Sequence, residues 1–233
     1  KKGLYHLCDD ENGFLEGGFA EYMLLPKNAL IHKVSKDIPA VEAALCEPLS
    51  CSAYAVNQTG MGMEDTVVMG MLQFALLRNP KRVIGIDTND ALCEIAKKLG
   101  AAEVLNPMKE DVTKRIMELT DGVGCDIYME ATGNPASVET GMNCLRKQGM
   151  LFIYSVFKKK AEIDLNQISE FKELRVIGGH LSPGAFPYTI DCLEKGKINA
   201  KVMVTDIFAL NEIDEAMSAK KPDRVSIKTV LVP

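Results

Sequence analysis

Short β-rich runs alternate with amphipathic stretches of helical period along this chain, most regularly from Thr66 to Tyr154. Thr66-Val67-Val68-Met69 is predicted as a first strand, leading into a helical segment from Met71 to Leu77 that Asn79-Pro80 ends. Val83-Ile84-Gly85-Ile86 is a second strand and closes at Asp87. Thr88-Asn89-Asp90 offers capping side chains to a helix that buries Leu92, Ile95, Ala96 and Leu99, and Gly100 takes its C-terminal cap. Glu103-Val104-Leu105, a helix from Asp111 to Leu119, an Asp121-Gly122 turn and the strand Asp126-Ile127-Tyr128-Met129 repeat the pattern. Ala131-Thr132-Gly133-Asn134-Pro135 turns into another helix, and Gly149 precedes a strand from Met150 to Tyr154. Strand–helix alternation of this kind implies parallel pairing through right-handed crossovers, a doubly wound α/β sheet.

The flanks differ from this centre. Residues 1–48 are turn-rich with short strands, and the tail from Val202 to Pro233 reads as strand, helix from Asn211 to Ala219, and strand. The expected organisation is a doubly wound domain over 49–182 and a smaller β-rich domain assembled from 1–48 and 183–233. A composition of 47% hydrophobic and 25% charged residues is that of a soluble globular chain. Its formal charge of −5 leaves no basic stripe for a run of phosphates, which excludes nucleic acid as a partner. Lys158-Lys159-Lys160 is followed by Glu162 and Asp164 and reads as a solvated turn. No apolar stretch is long enough to cross a bilayer, and no apolar core of a signal peptide follows Lys1-Lys2-Gly3, so no membrane partner and a cytoplasmic location are expected. The seven cysteines (Cys8, Cys46, Cys51, Cys93, Cys125, Cys144 and Cys192) contain no CxxC pair and suit a reducing compartment.

In an open α/β sheet, ligands bind beyond the carboxyl ends of the strands, and an acid ending the second strand accepts bonds from ribose hydroxyls. Asp87 stands at that place, where its alternative role is a helix cap or surface acid. The glycine-rich turn that usually cradles a pyrophosphate is missing, because Met69 is followed at once by Gly70 and the helix.

Six segments, taken in order, resemble the zinc-dependent medium-chain dehydrogenases and reductases, which include alcohol, sorbitol and threonine dehydrogenases. They are the stretch Gly3 to Cys8, Gly17-Gly18-Phe19-Ala20-Glu21-Tyr22, Glu47-Pro48-Leu49-Ser50 (similar to the polyol branch), Arg82 to Asp87, Ala96 to Ala102, and Ser226 to Val230. The resemblance covers essentially the whole chain. It implies a Rossmann sheet plus part of a GroES-like catalytic domain, reversible hydride transfer between a secondary alcohol or polyol and NAD, and zinc. It also implies a homodimer or homotetramer, and further residues before Lys1 and between Met69 and Gly70. By position, Gly70, Asp87, Thr132, Gly133, Gly179, His180 and Lys228 would face the cofactor, while Glu47 would belong to the catalytic zinc site and Cys8 to the structural one. Without the resemblance, Glu47 reads as an acid at a helix N-terminus and Cys8 as a lone thiol. One departure is Leu92, five residues after Asp87, where the family often has Lys or Arg. Two other readings stay open: a methyltransferase, whose sheet also carries a ribose acid, and a non-enzymatic relic of the fold. No GxSxG supports a hydrolase.

Overall fold

The computed structural model describes residues 18–25, 27, 29–69, 71–218 and 225–233. The chain divides into two units, one from 52–181 and the other from 1–51 together with 182–233. In chain order the elements are α1 (Ala40–Ala43), α2 (Cys46–Thr59), β1 (Thr66–Met69), α3 (Leu72–Leu76), β2 (Arg82–Ile86), α4 (Asp90–Lys98), β3 (Glu103–Leu105) and α5 (Val112–Leu119). They continue with β4 (Cys125–Glu130), α6 (Pro135–Cys144), β5 (Leu145–Ile153), β6 (Arg175–Gly178), α7 (Phe186–Glu194), β7 (Val204–Ala209), α8 (Ile213–Ser218) and β8 (Lys228–Val232).

In the larger unit, six parallel strands run in the order β3-β2-β1-β4-β5-β6. Strand order reverses between β1 and β4, as in a doubly wound sheet. The central strands are near-continuous apolar runs because helices cover both faces. Val67, Val68, Val83, Ile84, Ile127 and Tyr128 are each no more than 3% exposed. The helices start where short polar side chains satisfy their first amides. Asn89 accepts from Ala91 and Leu92, Asp111 from Lys114, and Asn134 from Ala136. Gly100 ends α4 at φ 108°, a left-handed conformation suited to glycine. On α4 the fully buried residue is Cys93, whereas Leu92, Ile95, Ala96 and Leu99 are half-buried. The Cys93 thiol turns back to the exit of β2, donating to the Asp87 carbonyl at 3.4 Å.

No loop separates α6 from β5. The Lys172 ammonium closes the junction, donating to the carbonyls of Met142 (2.7 Å), Asn143 (3.0 Å) and Leu145 (2.8 Å). Burial pushes this lysine's pKa down. Leu145 pairs with Cys125, residues 146–149 loop out of the ladder, and pairing resumes at Met150 with Ile127. Gln148 sits at φ 59° within this excursion. The strand expected from Met150 is thus the continuous part of β5, and the earlier start at Leu145 is a bulge that the sequence pattern hides.

The other unit holds α1, α7, α8 and a two-stranded parallel sheet of β7 and β8. Its β-rich character is less than expected: among the described residues of 18–48 there is no strand. Phe19, Tyr22, Leu24, Leu30 and Ile31 are exposed instead. An extended run becomes a strand only beside a partner, and no described segment pairs with this one. Among the described residues, no helix is long and apolar enough to cross a membrane.

Gly141 on α6 lies against the Tyr128 ring, and a Cβ there would come within 2.6 Å of it. The helix preference of alanine, worth up to about 1 kcal/mol, opposes an overpacking cost of about 1–3 kcal/mol. Packing should win because Tyr128 is 3% exposed and cannot swing away. Gly141→Ala is expected to lower the urea midpoint; an unchanged or higher midpoint would show that α6 shifts freely on the sheet.

Candidate functional site

Beyond the carboxyl ends of β2, β3 and β4 lies a crevice of about 540 Å³. Asp87 and Thr88 line it from the exit of β2, Pro107 from that of β3, and Thr132 and Ser137 from the turn and helix after β4. One Asp87 carboxylate oxygen accepts the Asn89 amide at 2.8 Å. The other oxygen has no protein donor among the described residues. Glu110 and Asp111 add two more acids to the lining, which contains no lysine or arginine. Lys109 is nearby in sequence but pairs with Asp90, and its bond, together with that of Asn106, holds the Asp90 carboxyl below the usual carboxylate range. This wall suits neutral hydroxyls and opposes an added phosphate.

Asn106, a residue the sequence reading passed over, fixes the shape of the crevice. It is buried, donates to the Thr88 carbonyl (3.1 Å) and to Asp90 (2.9 Å), and accepts from the Met108 amide (2.9 Å). The exits of β2 and β3 are thereby tied together. Deeper in, the Tyr128 hydroxyl lies 3.1 Å from Ser137 Oγ, and burial pushes the phenol up to about 12. It stays neutral across the physiological range, as a polar contact rather than an acid or base.

Glu130, at the end of β4, is a second residue the sequence reading missed. It is 1% exposed. One carboxylate oxygen accepts the Thr132 amide (2.7 Å), the Thr132 hydroxyl (2.6 Å) and the Gly133 amide (3.0 Å), and the other accepts the Ser155 hydroxyl. Thr132 and Gly133, expected to face the cofactor, therefore turn their donors inward and can offer outward only shape and carbonyl oxygens. Gly133 sits at φ 70°, where a Cβ would meet the Val156 carbonyl at 2.5 Å. Gly179 follows β6 and is packed similarly, with a Cβ position 2.7 Å from the Phe152 ring, and its amide donates to Ile153 (2.9 Å). His180 beside it is exposed.

The remaining candidates lie elsewhere. Lys228 opens β8 in the other unit, paired with Val204. Gly70 and Cys8 lie outside the described residues. Glu47 is exposed in the first turn of α2 and accepts the Cys51 thiol at 3.2 Å. A zinc ion needs three or four protein ligands, yet among the described residues no three His, Cys, Asp or Glu side chains converge. The described residues do not by themselves fit zinc. The nucleotide fits in part: the crevice and Asp87 suit an adenosine ribose, but β1 ends at Met69 and α3 begins at Leu72, leaving no glycine-rich cradle for the pyrophosphate.

Residues 67–195 match a family described as zinc-binding dehydrogenase. The erythritol/L-threitol dehydrogenase of Mycolicibacterium smegmatis is 39% identical over 246 aligned positions, covering 100% of this chain and 68% of that protein. With 233 residues here, the relative carries residues that have no counterpart in this chain. The L-threonine 3-dehydrogenase of Pyrococcus abyssi is 31% identical, covering 97% of this chain and 69% of its own length. Among solved structures, a zinc-binding dehydrogenase from Sinorhizobium meliloti bound to NADP superposes with a TM-score of 0.85 at 25% identity, over 93% of this chain and 66% of that one. The chain belongs to the zinc-binding dehydrogenase family, and its parallel six-stranded sheet is the Rossmann architecture of those structures. It spans about two thirds of the length of the relatives it matches.

Ligand counting gives a direct test. The 233-residue chain, purified without chelator and dialysed, is expected to hold far less than one zinc per molecule by elemental analysis. Stoichiometric zinc would mean that residues outside the described set complete a site around Glu47 or Cys8.

Proposed function

We propose that the whole protein is an NAD-dependent, zinc-type alcohol or polyol dehydrogenase, passing hydride between a secondary alcohol and the nicotinamide. The observation that supports this reading is the crevice at the carboxyl ends of β2–β4, lined by Asp87 as a candidate acceptor for ribose hydroxyls, in a chain of the zinc-binding dehydrogenase family. The polyol assignment draws on the erythritol/L-threitol dehydrogenase relative and on Glu47-Pro48-Leu49-Ser50. Zinc, when bound, would supply Lewis acidity for alkoxide formation. Glu47 is this chain's candidate contribution, and its other ligands would come from outside the described residues. Asp87, Thr132, Gly133, Gly179 and His180 are the candidate cofactor-facing residues of the larger unit, with Lys228 a candidate from the other and Gly70 one outside the described set.

The lack, among the described residues, of a pyrophosphate cradle and of a metal-ligand group favours a second reading for the 233 residues alone: they bind nucleotide without turnover. For the whole protein we propose a cytoplasmic homodimer or homotetramer with no nucleic-acid or membrane partner. The support for self-association is β6, which ends the sheet with Arg175 and Val176 exposed and one row of backbone groups unpaired within it.

Asp87 should set cofactor choice. A 2′-phosphate would face Asp87, Glu110 and Asp111 with no cation in the lining, so NADH is expected to bind more tightly than NADPH. Asp87→Ser should weaken NADH by about 1.5–3 kcal/mol, the scale of a charge-assisted hydrogen bond, while relieving the repulsion toward NADPH. Fluorescence titration of both cofactors measures the ratio. Equal affinities in the wild type, or a ratio that Asp87→Ser leaves unchanged, would reduce Asp87 to a loop acid.

A further inference from the structure

We infer that Glu130 is the positioning residue for the nicotinamide half of the cofactor and acts through hydrogen bonds rather than charge, an inference that rests on the nucleotide reading above. Three observations converge on it. The first is its place. Glu130 ends β4, which pairs with β1 on one side and β5 on the other, beside the point where strand order reverses. A dinucleotide lies across that point in a doubly wound sheet. With the adenosine ribose at Asp87 on the β2 side, the other half falls to the β4–β6 side.

The second observation is the partner set. A carboxylate this deeply buried is retained only if donors surround it. Its donors are two amides and two hydroxyls, from Thr132, Gly133 and Ser155, and no lysine, arginine or histidine pairs with it among the described residues. A residue kept for its charge would be expected beside a counter-charge or open to the ligand. Glu130 is instead enclosed, and its bonds reach across two strand exits separated by 25 residues.

The third observation is that these exits form one packed surface. Gly133 closes on the Val156 carbonyl, the Tyr154 amide donates to the Glu130 carbonyl (2.8 Å), and the Gly179 amide donates to Ile153 (2.9 Å). The Tyr154 hydroxyl donates to the Leu181 carbonyl, and the Phe152 and Tyr154 rings stack with centroids 6.2 Å apart. The turns at 131–133, 154–156 and 179–181 are thus linked in series, and Glu130 supplies the link between the first two. Without it, Thr132, Gly133 and Ser155 would be released to solvent-facing positions, and the surface offered to the second half of the cofactor would lose its fixed shape. The Asp87 wall of the crevice, on the β2–β3 side, is held separately, by Asn106.

A glutamine separates hydrogen bonding from charge. Its carbonyl oxygen can take the three bonds from Thr132 and Gly133, and its amide can donate to Ser155 Oγ, which then acts as acceptor. The experiment is calorimetric titration of AMP and of NADH into the 233-residue chain, as wild type, Glu130→Gln, Glu130→Met and Ser155→Ala. Amide hydrogen exchange at Thr132 and Gly133 is followed in parallel. NADH should bind more tightly than AMP in the wild type. Glu130→Gln should keep the NADH-to-AMP affinity ratio within about threefold, while Glu130→Met lowers it by about tenfold or more with AMP unchanged and exchange at both amides faster. Should Glu130→Met fail to fold, Ser155→Ala carries the test, with a ratio about two- to fivefold lower and unchanged AMP binding. An unchanged ratio in Glu130→Met, or in Ser155→Ala where it stands in, overturns the inference and leaves the nucleotide reading intact. A loss in Glu130→Gln as large as in Glu130→Met overturns the hydrogen-bond role in favour of charge. A wild type that binds neither AMP nor NADH overturns the nucleotide reading and this inference with it.

Discussion

Enclosing the Glu130 carboxylate removes it from water at a cost of several kcal/mol unless donors replace the lost solvation. The chain supplies those donors from two successive strand exits, and that requirement shapes the carboxyl edge of the sheet. Because Thr132 and Gly133 must point their amides inward, their turn has a single tight conformation, with Gly133 left-handed and pressed on the next turn. Because Ser155 must reach the same carboxylate, the exit of β5 is held beside that of β4. A ligand arriving at this edge meets a surface already ordered, so less conformational entropy is lost on binding.

The other half of the edge follows a related logic with different parts. Asn106, an uncharged amide, ties the exits of β2 and β3 together, and Asp87 has one oxygen engaged by its own loop. Three acids without a cation in the lining give the crevice a sign as well as a shape. On the proposed reading that sign would discriminate between nucleotides by electrostatic repulsion, and the Glu130 side of the edge by fit. Membership of the zinc-binding dehydrogenase family accounts for the sheet and its crevice. Of the two proposed zinc-site residues, Glu47 alone lies among the described residues, and no ligand group gathers around it there.

Local features were the legible ones. The cap at Asn89, the glycine stop at Gly100 and the acid at the end of β2 each depend on a few neighbouring residues, and the chain spells them out. Glu130 and Asn106 were not legible, because Ser155 lies 25 residues from Glu130, Asp90 and Thr88 lie 16 and 18 residues from Asn106, and nothing in Met129-Glu130-Ala131 or Leu105-Asn106-Pro107 signals burial. The bulge that moves the start of β5 to Leu145 depends on Lys172 capping α6 from a later segment. Short strands expected before residue 48 lack a pairing neighbour among the described residues, which no local pattern could reveal. Thr132 and Gly133 came from resemblance, and the structure alters what they can do: they contribute shape, with their donors committed to Glu130.

The central claim is that the crevice at the carboxyl ends of β2, β3 and β4 receives the nucleotide, and hydrogen exchange with and without saturating NADH tests it most directly. Protection is predicted in peptides covering residues 86–90, 106–113 and 131–137, with no change over 157–163, where an apolar pocket carrying three lysines offers an alternative anion site. Protection confined to 157–163, or absent from all of these segments while NADH is bound, would contradict the account.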